Sequence, residues 1–271
     1  MPLIEKTFAN KSDLFAYLKE NKSDLIEMKR ATKKTFVMTP ELIPAIDVMN
    51  KSLSTSTKND TEDMIQRTIV GNTYNWMDSH DDVHVGSTFS KSIGERVGKI
   101  WHLHDHEYKL SAKIGTPTKV YEKQIRWADL GVNKTGSTTS LMMDTNIKKS
   151  MNKSIFEEYK SGSIDQHSVG MYYVKIDLAL NDPQYEEEFK VWNQYIDMLG
   201  NKNIAEDKGY FWAVKEAKLL EISAVLEGSN ELTPTIEAKD NESLQDTQEK
   251  KPDQSTSNDQ TKTKTKVPSY Y

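Results

Sequence analysis

Apolar side chains alternate with polar ones along five stretches in the middle of the chain, and this period of two predicts β-strands. The five stretches cover residues 64–74, 99–104, 119–125, 168–180 and 210–226. Two other stretches have apolar residues three or four apart, which predicts helices over residues 145–159 and 183–199. The second helix carries one apolar stripe that we expect to pack in the core, formed by Tyr185, Phe189, Trp192, Ile196 and Leu199.

The chain divides into three compositional regions. Residues 1–60 are polar with short helical patterns, and the almost wholly polar stretch 52–63 predicts a linker. Residues 61–232 hold most of the aromatic side chains and glycines, and we expect them to form the folded domain. Residues 233–271 have few apolar side chains, so the sequence predicts a disordered tail.

Composition excludes several kinds of chemistry. The chain of 271 residues has no cysteine, which excludes disulfides and thiolate nucleophiles. The net charge of -5 is mild, and no basic cluster predicts nucleic-acid binding. We expect no membrane span, no secretory signal and no cofactor, and the lack of cysteine fits a reducing compartment.

Histidines are concentrated in one short part of the sequence. Five of the six lie between positions 80 and 106: His80, His84, His102, His104 and His106. The last three alternate, so on a strand they would share one face. One of them is a candidate general base, and as an alternative the cluster binds a metal in a metal-dependent hydrolase.

A serine and a carboxylate complete a candidate catalytic set. Ser168 lies in Ser168-Val169-Gly170, where the glycine allows a backbone to approach the hydroxyl closely. Glu221 lies in the last predicted strand, in Leu219-Leu220-Glu221-Ile222-Ser223. A serine hydroxyl needs a base to take its proton, and a buried acid can orient that base.

These stretches together resemble the prohead, or capsid maturation, serine proteases of tailed bacteriophages, which are distantly related to the herpesvirus assemblins. The chain is similar to that family over roughly residues 64 to 232. The motifs that carry the resemblance are Leu103-His104-Asp105-His106-Glu107, Ile114-Gly115, Ser168-Val169-Gly170, Leu219-Leu220-Glu221-Ile222-Ser223 with Asn230, and Asp78-Ser79-His80-Asp81-Asp82-Val83 with Gly86 and Phe89. Asp81 departs from the pattern, because many members have glycine there.

The resemblance implies a serine endopeptidase with His106, Ser168 and Glu221 as catalytic residues. Alignment on Leu103 favours His106 as the base, and counting from the His-Asp dipeptide favours His104. The implied substrates are the scaffolding protein, the major capsid protein and the protease itself. The implied location is the assembling prohead in the host cytoplasm, and self-association stays open.

The resemblance also implies the fold. We expect an α+β domain in which a small, barrel-like and mostly antiparallel sheet is flanked by helices, as in assemblins. A non-catalytic scaffold or shell-binding protein is the remaining alternative, since such a protein would tolerate the loss of every candidate catalytic residue.

Overall fold

A computed structural model of the protein describes residues 6–31 and 60–236. These residues form an α+β fold with one mixed sheet of eight strands. In chain order the strands are β1 (Met64–Thr73), β2 (Asp82–His84), β3 (Trp101–His104), β4 (Lys113–Arg126), β5 (Ser137–Lys148), β6 (His167–Leu180), β7 (Tyr210–Ala224) and β8 (Thr235–Ile236). The helices are α1 (Lys11–Glu20), α2 (Lys22–Ala31), α3 (Ser90–Glu95), α4 (Lys153–Ser161), α5 (Glu186–Tyr195) and α6 (Lys202–Lys208).

The long strand β7 organises the sheet. It pairs with β6 in an antiparallel manner, and it pairs in parallel with β2 near its start and with β3 near its end. From β3 the sheet continues through β4, β5, β1 and β8, all in antiparallel pairs. Within the described residues these pairings leave the sheet open. We expected a mostly antiparallel sheet, and the two parallel pairings of β7, with β2 and with β3, were not predicted.

The main hydrophobic core lies between β1, β6 and β7. Gly71 of β1 faces Ile222 of β7, and a Cβ atom at Gly71 would lie 2.5 Å from the Ile222 side chain. The absence of a side chain at this position lets β1 approach β7 closely. The N-terminal helices share this core through Phe15, Leu18 and Leu25.

The five predicted strands are confirmed as β1, β3, β4, β6 and β7, although β4 begins at Lys113 and not at residue 119. The helix predicted over residues 145–159 is wrong in its first half, because residues up to Lys148 belong to β5. Helix α4 begins only after Asn152, whose side chain accepts a hydrogen bond from the backbone N–H of Ile155 at 3.1 Å and caps it. β2, β5 and β8 were not predicted.

The helix predicted over residues 183–199 is confirmed as α5 followed by a 3₁₀ turn at Ile196–Met198. Trp192, Ile196 and Leu199 are buried in a second hydrophobic cluster with Phe211 of β7. The apolar stripe is therefore core, as predicted.

The ends of the chain do not follow the predicted boundaries exactly. Of the predicted tail, residues 233–236 are described: Thr233 is buried, and β8 pairs with β1. The rest of the tail, and the predicted linker before Asp60, lie outside the described residues. No helix in the described ranges combines the length and the apolar character needed to cross a bilayer.

Candidate active site

The histidine loop begins where β3 ends. β3 stops at His104, and the next two residues, Asp105 and His106, both have left-handed backbone angles, with φ of 51° and 55°. The backbone N–H of Asp105 donates to the carbonyl oxygen of Ala224 at 3.0 Å, which holds the turn against the end of β7. His106 therefore leaves the strand, and the expectation that three alternating histidines share one strand face is wrong for it.

The turn directs His106 to Glu221 in the middle of the sheet. Its Nδ1 lies 2.7 Å from Oε1 of Glu221, and the two side chains are 6% and 0% exposed. Because an ionised carboxylate only accepts hydrogen bonds, Nδ1 carries the hydrogen and donates it to Glu221. The basic lone pair of a neutral His106 is then on Nε2, which is the arrangement of a general base oriented by an acid.

Ser168 lies on the strand that adjoins Glu221. The antiparallel register pairs Ser168 of β6 with Ser223 of β7 and, two residues on, Gly170 with Glu221. Residues directly opposite in an antiparallel pair have side chains on the same face of the sheet. Ser168 therefore shares a face with Glu221 and Ser223, and it is 5% exposed.

His104 has a different environment. Its Nδ1 lies 2.9 Å from Oδ2 of Asp105, its neighbour in the chain, and that aspartate side chain is 65% exposed. The geometry thus brings His106, and not His104, into contact with Glu221.

A second group of polar side chains lies buried behind the serine strand. His102 of β3, Tyr159 of α4 and His167 of β6 are almost inaccessible to solvent. The Tyr159 hydroxyl lies 3.1 Å from Nε2 of His102 and 2.8 Å from Nε2 of His167. At the two ends, Nδ1 of His102 lies 3.2 Å from Oγ1 of Thr145, and Nδ1 of His167 lies 2.8 Å from the carbonyl oxygen of Thr233.

The last acceptor and the charge state of the two histidines together set the direction of this chain. A carbonyl only accepts, so His167 donates from Nδ1 to Thr233. With both histidines neutral, His167 accepts from the Tyr159 hydroxyl at Nε2, Tyr159 accepts from Nε2 of His102, and His102 accepts from Thr145 at Nδ1. The pKa values of the two rings favour this neutral state. Burial lowers the pKa of His167 to about 4 and holds the pKa of His102 well below its usual value of 6.5.

This buried chain predicts a loss of stability in acid. In the unfolded chain both histidines take up protons below about pH 6.5, whereas in the folded protein His167 resists protonation until about pH 4 and His102 resists it well below pH 6.5. Their contribution is therefore complete above pH 6.5 and falls as the pH drops towards 4. Between pH 7 and pH 5 we expect the free energy of unfolding to fall by about 2 kcal/mol through His167, and His102 should add a loss in the same direction.

Urea unfolding at pH 7 and pH 5 measures this loss. The variant His167→Gln serves as the control, because it should be less stable at pH 7 but should lose the part of the pH dependence that comes from His167. Equal stability of the wild-type protein at both pH values would contradict a neutral, buried histidine pair.

The same buried chain gives physical roles to three residues near the motifs. A Cβ atom at Gly115 would lie 2.5 Å from Nδ1 of His102, so a side chain there would displace the histidine. Asn230 donates to the carbonyl oxygen of Thr73 and accepts from the N–H of Leu232, which holds the turn that leads to Thr233. A Cβ atom at Gly228 would lie 2.6 Å from the carbonyl oxygen of His167.

The sequence did not indicate the roles of Tyr159 and Thr233 in this buried chain. A tyrosine in a helical stripe is typical of ordinary core.

The other histidines do not join one cluster. His84 is buried and stacks on Phe89, with ring centroids 5.5 Å apart. Within the two described ranges, the one group of three potential metal ligands is Asp78, His80 and Asp82. Asp82 is already bound at Oδ1 by Nζ of Lys29 at 2.6 Å and at Oδ2 by the Tyr173 hydroxyl.

The turn that contains Asp81 accommodates an aspartate in a backbone conformation typical of glycine. Asp81 has a φ of 59°, in the left-handed region that glycine adopts most easily and aspartate tolerates. Its carboxylate accepts a hydrogen bond from the Tyr210 hydroxyl at 2.6 Å and pairs with Lys208. These contacts stabilise a conformation that would otherwise favour glycine.

Comparison with known proteins adds no assignment, since no family model, curated protein or solved structure matches the chain.

Proposed function

We propose that the chain is a serine endopeptidase of the prohead maturation type, with His106, Ser168 and Glu221 as its catalytic residues. The observation that carries the proposal is the buried contact of 2.7 Å between Nδ1 of His106 and Oε1 of Glu221, beside Ser168 on the adjoining strand. In this arrangement, three residues that are distant in the sequence lie at one end of the β6–β7 pair.

The proposed reaction follows from this arrangement. Nε2 of His106 takes the proton of Ser168 as Oγ attacks the carbonyl carbon of a peptide bond, and the new C–O bond gives a tetrahedral intermediate. The protonated imidazole is stabilised by Glu221 and passes the proton to the departing amine as the C–N bond breaks. Water, deprotonated by the same histidine, then hydrolyses the acyl-enzyme and restores Ser168.

The substrates follow from the family resemblance. They are the scaffolding protein, the major capsid protein and the chain itself, cleaved inside the assembling prohead in the host cytoplasm. The open sheet is, in this proposal, a variant of the assemblin barrel. The close approach of Gly71 to Ile222 supports a strongly curved sheet.

Self-cleavage tests the proposal. Purified full-length protein should shorten with time, and Ser168→Ala should stay intact while keeping the wild-type circular dichroism spectrum. EDTA should leave the wild-type rate unchanged. Intact-mass spectrometry follows both proteins under each condition.

Other outcomes identify the alternatives. Cleavage that persists in Ser168→Ala but stops in EDTA would contradict the proposal and favour a metal-dependent hydrolase built on the histidines between positions 80 and 106. No cleavage of either form, together with no cleavage of added scaffolding or capsid protein, would favour a non-catalytic shell-binding protein.

A further inference from the structure

A second serine, Ser223, lies at the centre of the candidate active site. It is on β7, two residues after Glu221, and its side chain is inaccessible to solvent. Its neighbours in the sheet are Leu103 of β3 on one side and Ser168 of β6 on the other. Ser223 therefore lies between the strand that leads to His106 and the strand that carries Ser168.

The Ser223 hydroxyl makes two hydrogen bonds that use different parts of the group. It donates to Oε2 of Glu221 at 2.6 Å, and it accepts from the backbone N–H of His106 at 3.2 Å. Because the hydroxyl hydrogen is directed to a carboxylate, Ser223 is not activated by an imidazole. With its hydrogen directed to Glu221, Ser223 is not a second nucleophile.

The first bond fixes the carboxylate of Glu221. His106 binds one oxygen and Ser223 binds the other, and two contacts on opposite oxygens define the plane of the group. A carboxylate held at one oxygen alone could rotate about its last side-chain bond. Rotation would turn Oε1 away from His106 and change the direction in which the imidazole points.

The second bond fixes the backbone of His106. A non-glycine residue in the left-handed region is strained, and it keeps that conformation only where its surroundings hold it there. Asp105 and His106 both adopt this conformation, and both of their N–H groups are bound to β7, to Ala224 and Ser223 respectively. The single hydroxyl of Ser223 thus links the backbone of His106 to the acid that its ring contacts.

We propose that Ser223 is a positioning residue, which holds Glu221 and the left-handed turn at His106 in the geometry that makes His106 a base for Ser168. This inference rests on the proposed function for its effect on catalysis. Its geometric part concerns how well the hydrogen bond between His106 and Glu221 is ordered. This can be measured even in a protein that has no proteolytic activity.

The test compares Ser223→Ala with a matched buried serine. Ser140 is also inaccessible to solvent, and its hydroxyl lies 3.2 Å from that of Thr73, away from the candidate active site. The probes are the proton NMR signal of Nδ1–H of His106 and the rate at which Ser168 is labelled by a fluorophosphonate. The NMR signal is assigned by its loss in His106→Gln.

In Ser223→Ala we expect the Nδ1–H signal to broaden or disappear at neutral pH. Labelling of Ser168 should slow by about 10- to 100-fold, because a small misplacement of a catalytic group costs this much. Ser140→Ala should leave both readouts at their wild-type values. Ser223→Thr, which restores the hydroxyl, should recover the signal and most of the labelling rate.

The outcomes separate this inference from the proposed function. A Ser223→Ala protein that folds and keeps the wild-type signal and labelling rate would overturn the positioning role. The role would equally be overturned if Ser140→Ala caused the same losses. A wild-type protein that shows the signal, loses it in Ser223→Ala and never reacts at Ser168 would support the geometric role and contradict the proposed protease.

Discussion

Replacement of His106 by alanine should lower self-cleavage by at least about 10⁴-fold, since loss of the base from a serine–histidine–acid set removes most of its rate advantage. The same replacement at His104 should change the rate by less than about threefold, as expected for a side chain outside the reacting groups. The two residues lie two positions apart, at the end of β3 and in the turn that follows it, and they differ in their contacts. His106 binds the buried Glu221, and His104 binds the exposed Asp105.

Cleavage rates from intact-mass spectrometry measure this difference. Circular dichroism and urea unfolding of both variants show whether the loop replacement disturbs the fold. Equal losses in the two variants, or a larger loss in His104→Ala, would contradict the assignment of His106 as the base.

Replacement of Lys29 by alanine should lower the free energy of unfolding by about 3–5 kcal/mol, because it leaves a buried carboxylate without its cation. Nζ of Lys29 lies 2.6 Å from Oδ1 of Asp82, and the two side chains are 2% and 0% exposed. The ammonium group also lies over the rings of Tyr173 and Trp212, at 5.3 and 5.5 Å from their centroids. This pair attaches helix α2 to the start of β2.

Two control variants distinguish the effect of an unpaired buried charge on stability from the effect of losing an exposed lysine. Lys202→Ala removes an exposed partner of Asp197 and should cost no more than about 1 kcal/mol. The double variant Lys29→Met with Asp82→Asn removes both buried charges and should recover most of the stability lost in Lys29→Ala. If urea unfolding gave Lys29→Ala and Lys202→Ala the same small loss, the proposed anchoring of α2 would be wrong.

The role of Lys29 also shows which feature of the N-terminal region the sequence could not predict. A lysine in a polar helix is normally exposed, so nothing in residues 1–60 indicated a buried ion pair with Asp82. The helical pattern itself was visible. The apolar residues Phe15, Leu18 and Leu25 of these helices complete the core of the sheet. The sequence could not predict this packing, because it depends on contacts between distant parts of the chain.

The strands were more predictable, because alternation along a strand is a local property. It predicted β1, β3, β6 and β7 closely. It failed at β5, where Leu141, Met142 and Met143 are buried on both faces and the alternation is lost. The parallel pairing of β3 with β7 was not predictable either, although it brings the histidine loop to Glu221.

The candidate site was predictable as a set of residue types, and its geometry was not. The motifs singled out Ser168 and Glu221 and favoured His106 as the base, with His104 as the alternative. The contact that distinguishes the two histidines depends on the left-handed turn at Asp105 and His106, which the sequence does not signal through glycine. The roles of Ser223 and Tyr159 were hidden for a similar reason, because a buried hydroxyl group in a strand or a helix leaves no pattern of its own.

Reaction of the wild-type protein with a fluorophosphonate is the most direct measurement of whether Ser168 is an activated nucleophile. The account predicts one adduct per chain, located on Ser168 by peptide mapping, and none in His106→Ala. An adduct on another serine, a wild-type protein that does not react, or an undiminished reaction of Ser168 in His106→Ala would contradict it.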